Sequence, residues 1–581
     1  MKLVIAEYLR TLKERDELDR LLPDLLIEMG YVPIARPQTG NRQYGVDLAA
    51  RGTNPNSDTE ELLLAVIKKG DIGRTEWDGG DQSVRQSINE ILDVYLTSHV
   101  EPQDKGKHIH IVVVTNGELK QVVQASWTGF VSSIGAKAEV DFWGIDRLAA
   151  LIERHLLDEH VFRDSERKLL RRSLALSGDS DYDRRDLHRL FLQSLDLTNS
   201  GGLSETPKTG KALVKAMRIV NLSAHAFASW ALAEGDSRQG LLCMERALLW
   251  AWHRIQLCGN ATRLSIITDV FPSFWIGYCV ACKEYFERLQ PYCYTKDSLS
   301  KKYYDSAELS MLSFEVIGVL SSIGLSQILI NPGDASPLQD RAAQAEIIAD
   351  AIIGLIHNNK ICGSPCLDRH SNDISLALTL LLLAGRKKDA VTWLKTLIRN
   401  VDYSYKTKRH IPVCSDSIDD LIDEGGWGSN EAAARLMNSS WTLATLAGWA
   451  AILKEKEHYT KLATGCKNDY PDTCVQLWHP DKDIYSHLYF CRSHFQCGAS
   501  EAPIILPDNP GEWIEHMKTI TRSPQEKIYE ASPALQTGLA ALDIIACRHF
   551  LTPVPPFFWY RLACWADSLQ SKPSEIGIAS P

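Results

Sequence analysis

Two short apolar runs each carry a residue type that can act on a phosphodiester. Gly45-Val46-Asp47-Leu48-Ala49-Ala50 holds a lone carboxylate, and the run Leu62-Leu63-Leu64-Ala65-Val66-Ile67-Lys68-Lys69-Gly70 ends in lysine. Cleaving a phosphodiester near neutral pH needs a water made nucleophilic and positive charge for the phosphate oxygens. A hard divalent cation held by carboxylate oxygens serves both needs, and Mg²⁺ (or Mn²⁺) suits such ligands. Asp47 is the candidate metal ligand. Lys68 is its candidate neighbour, placed to orient the water or to stabilise the developing charge. The two are separated by about twenty residues, the length of two strands joined by a loop. A carboxylate or an ammonium inside an apolar strand is costly without a partner. The plainer alternative is that Lys68 and Lys69 mark a solvated strand end and Asp47 caps a turn.

The elements that must position this pair follow from periodicity. Helical spacing runs from the start of the chain through Leu18, Leu21, Leu22, Leu25, Leu26 and Met29, and Gly30 stands at a natural C-cap position. Strands are expected over residues 31 to 36, 44 to 51 and 61 to 69, the second and third with the apolar character of buried strands. A helix over 83 to 96 carries Val84, Ile88, Ile91, Leu92 and Tyr95 on one face. The β-branched run from His108 to Thr115 is a strand closed by Asn116-Gly117. A helix to about 133, a strand over 138 to 143 and a helix over 145 to 157 complete the region. A three-strand meander followed by alternating helices and strands predicts a single α/β layer with helices on its faces.

That order, with Gly45-Val46-Asp47 leading into one strand and Val66-Ile67-Lys68-Lys69-Gly70 ending the next, resembles the PD-(D/E)XK restriction-endonuclease-like family, particularly its Mrr-like branch. Met29-Gly30-Tyr31 after the first helix and Thr115-Asn116-Gly117 after the later strand support the resemblance, which covers about the first quarter of the chain. It implies a mixed central sheet and a Mg²⁺-dependent endonuclease, acting on nucleic acid and most readily on DNA. The family places an acidic residue or Gln two positions before the lysine, because residues i and i+2 of a strand share a face and can meet one ion. Here that position is Val66, which cannot ligate a metal. The missing ligand is expected from a helix, with Asp19, Gln86 and Glu90 at plausible places, or from Asp71 just past the strand. Arg36, Arg42 and Arg74 are loop positions suited to phosphate contact.

Beyond this region the chain predicts helices. The expected division is a nuclease-like domain over 1–165, a helical linker over 166–210 and an all-α array over 211–581. Polar turns at Ala231-Leu232-Ala233-Glu234-Gly235-Asp236, at Ala384-Gly385-Arg386-Lys387-Lys388-Asp389-Ala390 and at Lys454-Glu455-Lys456 resemble those of tetratricopeptide-type hairpins, although their spacing is irregular. Gly210-Lys211 lacks both the first glycine and the following Ser or Thr of a phosphate loop. Cys279 and Cys282, Cys362 and Cys366, and the group Cys491, His494 and Cys497 have metal-like spacings, yet core thiols are the simpler reading. The stretch from Pro553 to Trp559 reads as an extended aromatic segment, or alternatively as a docking strip.

Composition bounds the rest. The 581 residues exceed what one core accommodates, and 45% apolar with 23% charged residues describes an ordinary globular chain. A net charge of −10 excludes binding nucleic acid by bulk charge. Residues 1–165 are themselves acidic, with 19 Lys and Arg against 27 Asp and Glu, so a nuclease there would need a local basic groove, a second subunit or help from elsewhere in the chain. Arg167-Lys168-Leu169-Leu170-Arg171-Arg172 is one basic stretch, also readable as the solvated face of a helix. No apolar run is expected to cross a bilayer, and fourteen scattered cysteines without a secretion signal read as the reduced thiols of a cytoplasmic protein. An acidic nuclease joined to a helical array resembles the effectors of bacterial anti-phage or restriction-type defence systems. On that analogy it acts as a homo-oligomer or beside another defence protein, such as a DNA-translocating ATPase, the array sensing or docking. The alternative is a catalytically decayed scaffold that binds nucleic acid or a partner protein.

Overall fold

The computed structural model describes residues 6, 9–10, 18–35, 44–54, 59–80, 82–156, 164–177, 183–301, 306–329, 338–408, 414, 436–481, 483–490, 498–522 and 531–553. The chain divides into two compact units, Met1–Asp196 with Glu205–Met244, and Leu197–Ser204 with Glu245–Pro581. The helices Asp164–Ala175 and Arg185–Leu195 of the expected linker fall in the first unit.

The first unit is built on the expected sheet. Helix α1 (Asp19–Glu28) leads to β1 (Val32–Ala35), β2 (Leu48–Thr53) and β3 (Glu60–Lys68). Two helices follow, α2 (Arg74–Asp78) and α3 (Val84–Glu90), the latter prolonged by a wider helical turn over Ile91–Tyr95. Then come β4 (His108–Thr115), α4 (Gln121–Ile134), β5 (Glu139–Trp143) and α5 (Ile145–Leu151). The five strands lie in chain order, β1–β2–β3 antiparallel and β3–β4–β5 parallel. Both modes have local causes. An antiparallel neighbour can follow a short connection, whereas a parallel neighbour needs a crossover, which α2–α3 and α4 provide.

The pleat divides each strand between two faces. Ala49, Leu62, Leu64, Val66, Ile111 and Val113 pack against Trp77, Val84, Ile88, Ile91 and Val123 of the helices beyond β3. Trp77 meets Trp127 and Phe130 edge-on, with ring centroids 5.7 and 5.5 Å apart, a geometry that the ring quadrupoles favour. Leu63, Ala65, Val112 and Val114 face the other way and are equally buried. Burial on both faces explains why β3 and β4 read as nearly unbroken apolar runs.

The second unit is helical, as expected, with Trp252, Trp393, Trp449 and Trp513 in its core. The three hairpin turns singled out in the sequence, the first of them in the first unit, share one physical stop. Asp236 N–H donates to Ala231 O at 2.8 Å, Arg386 N–H to Leu381 O at 2.7 Å and Glu455 N–H to Ala450 O at 2.8 Å. The residue before each donor has positive φ, Gly235 at 91°, Gly385 at 74° and Lys454 at 62°. This is the left-handed helix end that satisfies otherwise orphaned carbonyls.

Two expectations need correction. Short strands do occur in the helical unit: Ser439–Ser440 pairs with Cys474–Val475, and Leu477–His479 with Ala499–Glu501. Two or three residues are too few for alternation to show in the sequence. The helix Ser306–Ile328 is long and apolar enough to span a bilayer, contrary to the reading that no run is, but 78% of its most apolar window is buried within the protein. A fully enclosed core helix is apolar all round for the same reason as a membrane span.

Candidate active site

The place of Asp47 follows from the corner that precedes β2. Gly45 has φ of +80°, and a Cβ there would stand 2.1 Å from the carbonyl oxygen of Ser87. Only glycine allows both that conformation and so close an approach of α3. The chain joins the ladder at Leu48, opposite Ala65, and the Asp47 N–H just before it donates to Ala65 O at 2.9 Å. The Asp47 carboxylate accepts a hydrogen bond from the Ile67 N–H through Oδ2 at 2.7 Å. It therefore lies against the end of β3, at the Val66–Ile67 peptide.

Burial falls along that strand end. Val66 is fully buried, Lys68 half-buried and Lys69 exposed. Lys68 is in register with Thr115 at the end of β4. Beyond them the loops cross closely: Thr115 Oγ1 donates to Gly70 O at 2.5 Å, and Gly70 N–H to Asn116 Oδ1 at 2.8 Å. A Cβ on Gly117 would fall 2.2 Å from the Gly70 carbonyl carbon. The Asp47–Lys68 region thus sits where the carboxyl ends of β3 and β4 meet two glycine-permitted turns.

The other expected site residues are distributed as follows. Asp19 opens α1 and is half-buried, Glu90 ends α3 and is half-buried, and Gln86 is exposed on the same helix. Asp71 is turned elsewhere: its Oδ1 accepts from Glu118 N–H at 3.1 Å, and Lys120 Nζ lies 3.6 Å from Oδ2. Arg74 is exposed at the first position of α2. Arg36 and Arg42 lie outside the described residues, as do Cys491, His494 and Cys497 and most of the stretch from Pro553 to Trp559. Among the described residues, Asp47, Asp19 and Glu90 do not form a group of three ligand atoms within 4.8 Å of one another. Cys282, Cys362 and Cys366 are buried thiols outside any disulfide and Cys279 is half-buried, and among the described residues no cysteine joins such a group.

A second polar cluster lies on the opposite face of the sheet and at the other ends of the strands, and the sequence reading did not identify it. Glu61 is fully buried. Its Oε1 accepts from the Tyr31 hydroxyl at 2.6 Å and lies 3.0 Å from His110 Nδ1, while its Oε2 accepts from Asn54 Nδ2 at 3.0 Å. Burial works against the charged carboxylate, but His110, Tyr31 and Asn54 together hold its pKa below the usual value. Burial likewise opposes charge on His110, and the carboxylates of Asp141 and Glu61 outweigh it, raising the imidazole to about 9. His110 and Arg147 lower the carboxyl of Asp141. The signal was present in the alternation His108-Ile109-His110-Ile111 and Glu139-Val140-Asp141, which puts each pair on one strand face. Knowing that the two faces coincide requires the β4–β5 register.

Comparisons with protein-family models, with curated proteins and with solved structures find no match. The functional reading therefore rests on the residues themselves.

Proposed function

We propose that the sheet unit is a metal-dependent phosphodiesterase acting on nucleic acid, a DNA endonuclease, with Asp47 as metal ligand and Lys68 as the catalytic cation. The observation that carries this reading is the hydrogen bond from the Ile67 N–H to Asp47, which fixes a carboxylate against the strand one residue before a half-buried lysine. The donor set suits Mg²⁺, which dehydrates reluctantly and is usually held by one or two carboxylates together with water and substrate phosphate. Bound there, the cation would lower the pKa of a water and neutralise phosphate charge. Asp47 contributes a pre-oriented oxygen. Lys68 contributes a charge whose stem is held by the strand, so little reorganisation accompanies the reaction. Glu90 and Asp19 are the side chains proposed to add the second oxygen that Val66 cannot supply. Arg74 is exposed and suited to meeting the substrate backbone.

A second reading, a decayed scaffold that binds nucleic acid or a partner protein, is favoured by one specific observation. Val66 is packed into the apolar core, so the family's usual second ligand has been replaced by a core residue.

Cleavage of plasmid and linear DNA with Mg²⁺ or Mn²⁺ separates the two readings. Asp47→Asn and Lys68→Ala should each lower the rate by on the order of 10²–10³-fold, the usual cost of losing one electrostatic stabiliser, with unchanged melting curves. Cleavage that survives both substitutions overturns the assignment, and no cleavage by the wild-type chain supports the scaffold.

A further inference from the structure

The His110 cluster has a feature that its own hydrogen bonds do not explain. His110 is 4% exposed, and its Nε2 is buried with no hydrogen-bond partner. The nearest acceptor is Asp141 Oδ2 at 3.5 Å, beyond ordinary N–H···O distance. On the other side of the ring, Nδ1 is held 3.0 Å from Glu61. A carboxylate on one ring nitrogen of a histidine keeps that nitrogen's proton and orients the ring, so a metal that displaces the proton on the other nitrogen meets its lone pair.

The strands bring two further ligands to that nitrogen. His110 and Glu139 are direct register partners across β4 and β5, and Asp141, two residues along, projects from the same face. Ligand atoms of the three residues all lie within 4.8 Å of one another. Two ligands of a tetrahedral ion, each about 2.1 Å from the metal, stand roughly 3.4 Å apart. The Nε2–Oδ2 separation of 3.5 Å is too long for a good hydrogen bond but fits a shared ion. Glu139 and Asp141 also meet His108 and Arg147, each at 2.9 Å through one oxygen. The Asp141 oxygen that Arg147 holds is also the one facing His110, so a cation there would share Oδ2 with the guanidinium or displace it, each carboxylate oxygen having two lone pairs.

We propose that His110, Glu139 and Asp141 bind one divalent transition-metal cation of the Zn²⁺ class, at a site separate from Asp47 and Lys68. An imidazole with two carboxylates selects against the all-oxygen preference of Mg²⁺ and Ca²⁺. Three protein ligands leave a fourth position open, on the side where Glu139 and Asp141 are 50% and 30% exposed. Glu61 acts as the orienting partner of His110.

The test is equilibrium dialysis of the chelator-stripped full-length chain against Zn²⁺, with bound metal measured per chain. Glu139→Gln and Asp141→Asn should each lose one equivalent relative to wild type, so zinc held by cysteines cancels in the difference. Glu61→Gln should weaken that equivalent by about 10–100-fold. Arg147→Ala, which removes a competing cation, should retain or tighten it, and Asp47→Asn should keep it. Glu139 is solvent-exposed, so its variant remains informative if the others fold poorly. Zinc stoichiometry unchanged in Glu139→Gln overturns the proposal, as does loss of the same equivalent in Asp47→Asn.

Discussion

The helical unit seals its charge in the core, whereas the sheet unit, beside the sealed Glu61, also leaves charge open to solvent. In the helical unit Glu245 is fully buried beside Arg548, and His549 Nδ1 lies 2.9 Å from its second oxygen. Arg246 Nε completes the chain by donating to His549 Nε2 at 2.9 Å. Asp543, also fully buried, accepts from Tyr489 and Ser532 at 2.6 Å each, and Asp368 accepts from the Ser440 hydroxyl and the Trp441 N–H. These groups face one another inside the core. In the sheet unit the notable charges lie at strand ends, where one side is held by the fold and the other reaches solvent: half-buried Lys68, and Glu139 and Asp141 beside His110. Sealed charge specifies a core, whereas charge held on one side and open on the other can meet a ligand. That difference is why the chemistry is assigned to the smaller unit although the larger has more strongly perturbed groups.

The largest expected effect tests whether the helical network is structural. Arg548→Met leaves Glu245 buried without its guanidinium and should cost about 3–5 kcal/mol in denaturant unfolding. A near-neutral result would show that the network is not closed upon itself, and the contrast between the units would lose its basis.

A smaller effect concerns pH. Burial pushes the Asp543 carboxyl up to about 6, against the donors Ser532 and Tyr489. The folded state therefore holds this proton more tightly than the unfolded chain, where the value is about 3.9. The stabilising contribution is complete below the unfolded value and is lost as pH rises towards about 6. Asp543→Asn, which cannot titrate, should give a stability profile flatter than wild type across that window. A profile with the same slope would remove Asp543 from the account.

Much of the sheet was legible because its elements are locally consistent. The β-branched run from His108 to Thr115 matches β4 residue for residue, and the 3.6-residue spacing of Val84, Ile88 and Ile91 forecast the face that α3 buries. Glycines at 30, 70 and 117 marked corners that the structure makes with positive φ or close backbone contact, whereas Gly45, expected inside a strand over 44 to 51, is itself a corner before β2. What could not be read depends on register. The Tyr31–Glu61–His110 chain links residues 30 and 49 positions apart, and His110 looked like one more member of an apolar strand. The division into units was equally hidden, since helical spacing does not show which core the helices of the expected linker join. Asp47 was visible as a lone polar residue amid apolar neighbours and Lys68 as the first of two lysines closing an apolar run, whereas the Asp47–Ile67 hydrogen bond needed coordinates.

The central claim is that Lys68, and not its neighbour, is the catalytic cation. Successive residues of a strand point to opposite faces, and Lys69 is exposed whereas Lys68 is half-buried on the face of Val66, one residue after the Ile67 N–H that holds Asp47. The direct measurement is the rate of Mg²⁺-dependent DNA cleavage by Lys68→Ala and Lys69→Ala side by side. The account predicts loss on the order of 10²-fold or more for Lys68→Ala and near wild-type turnover for Lys69→Ala. Equal losses, or loss only in Lys69→Ala, would contradict it.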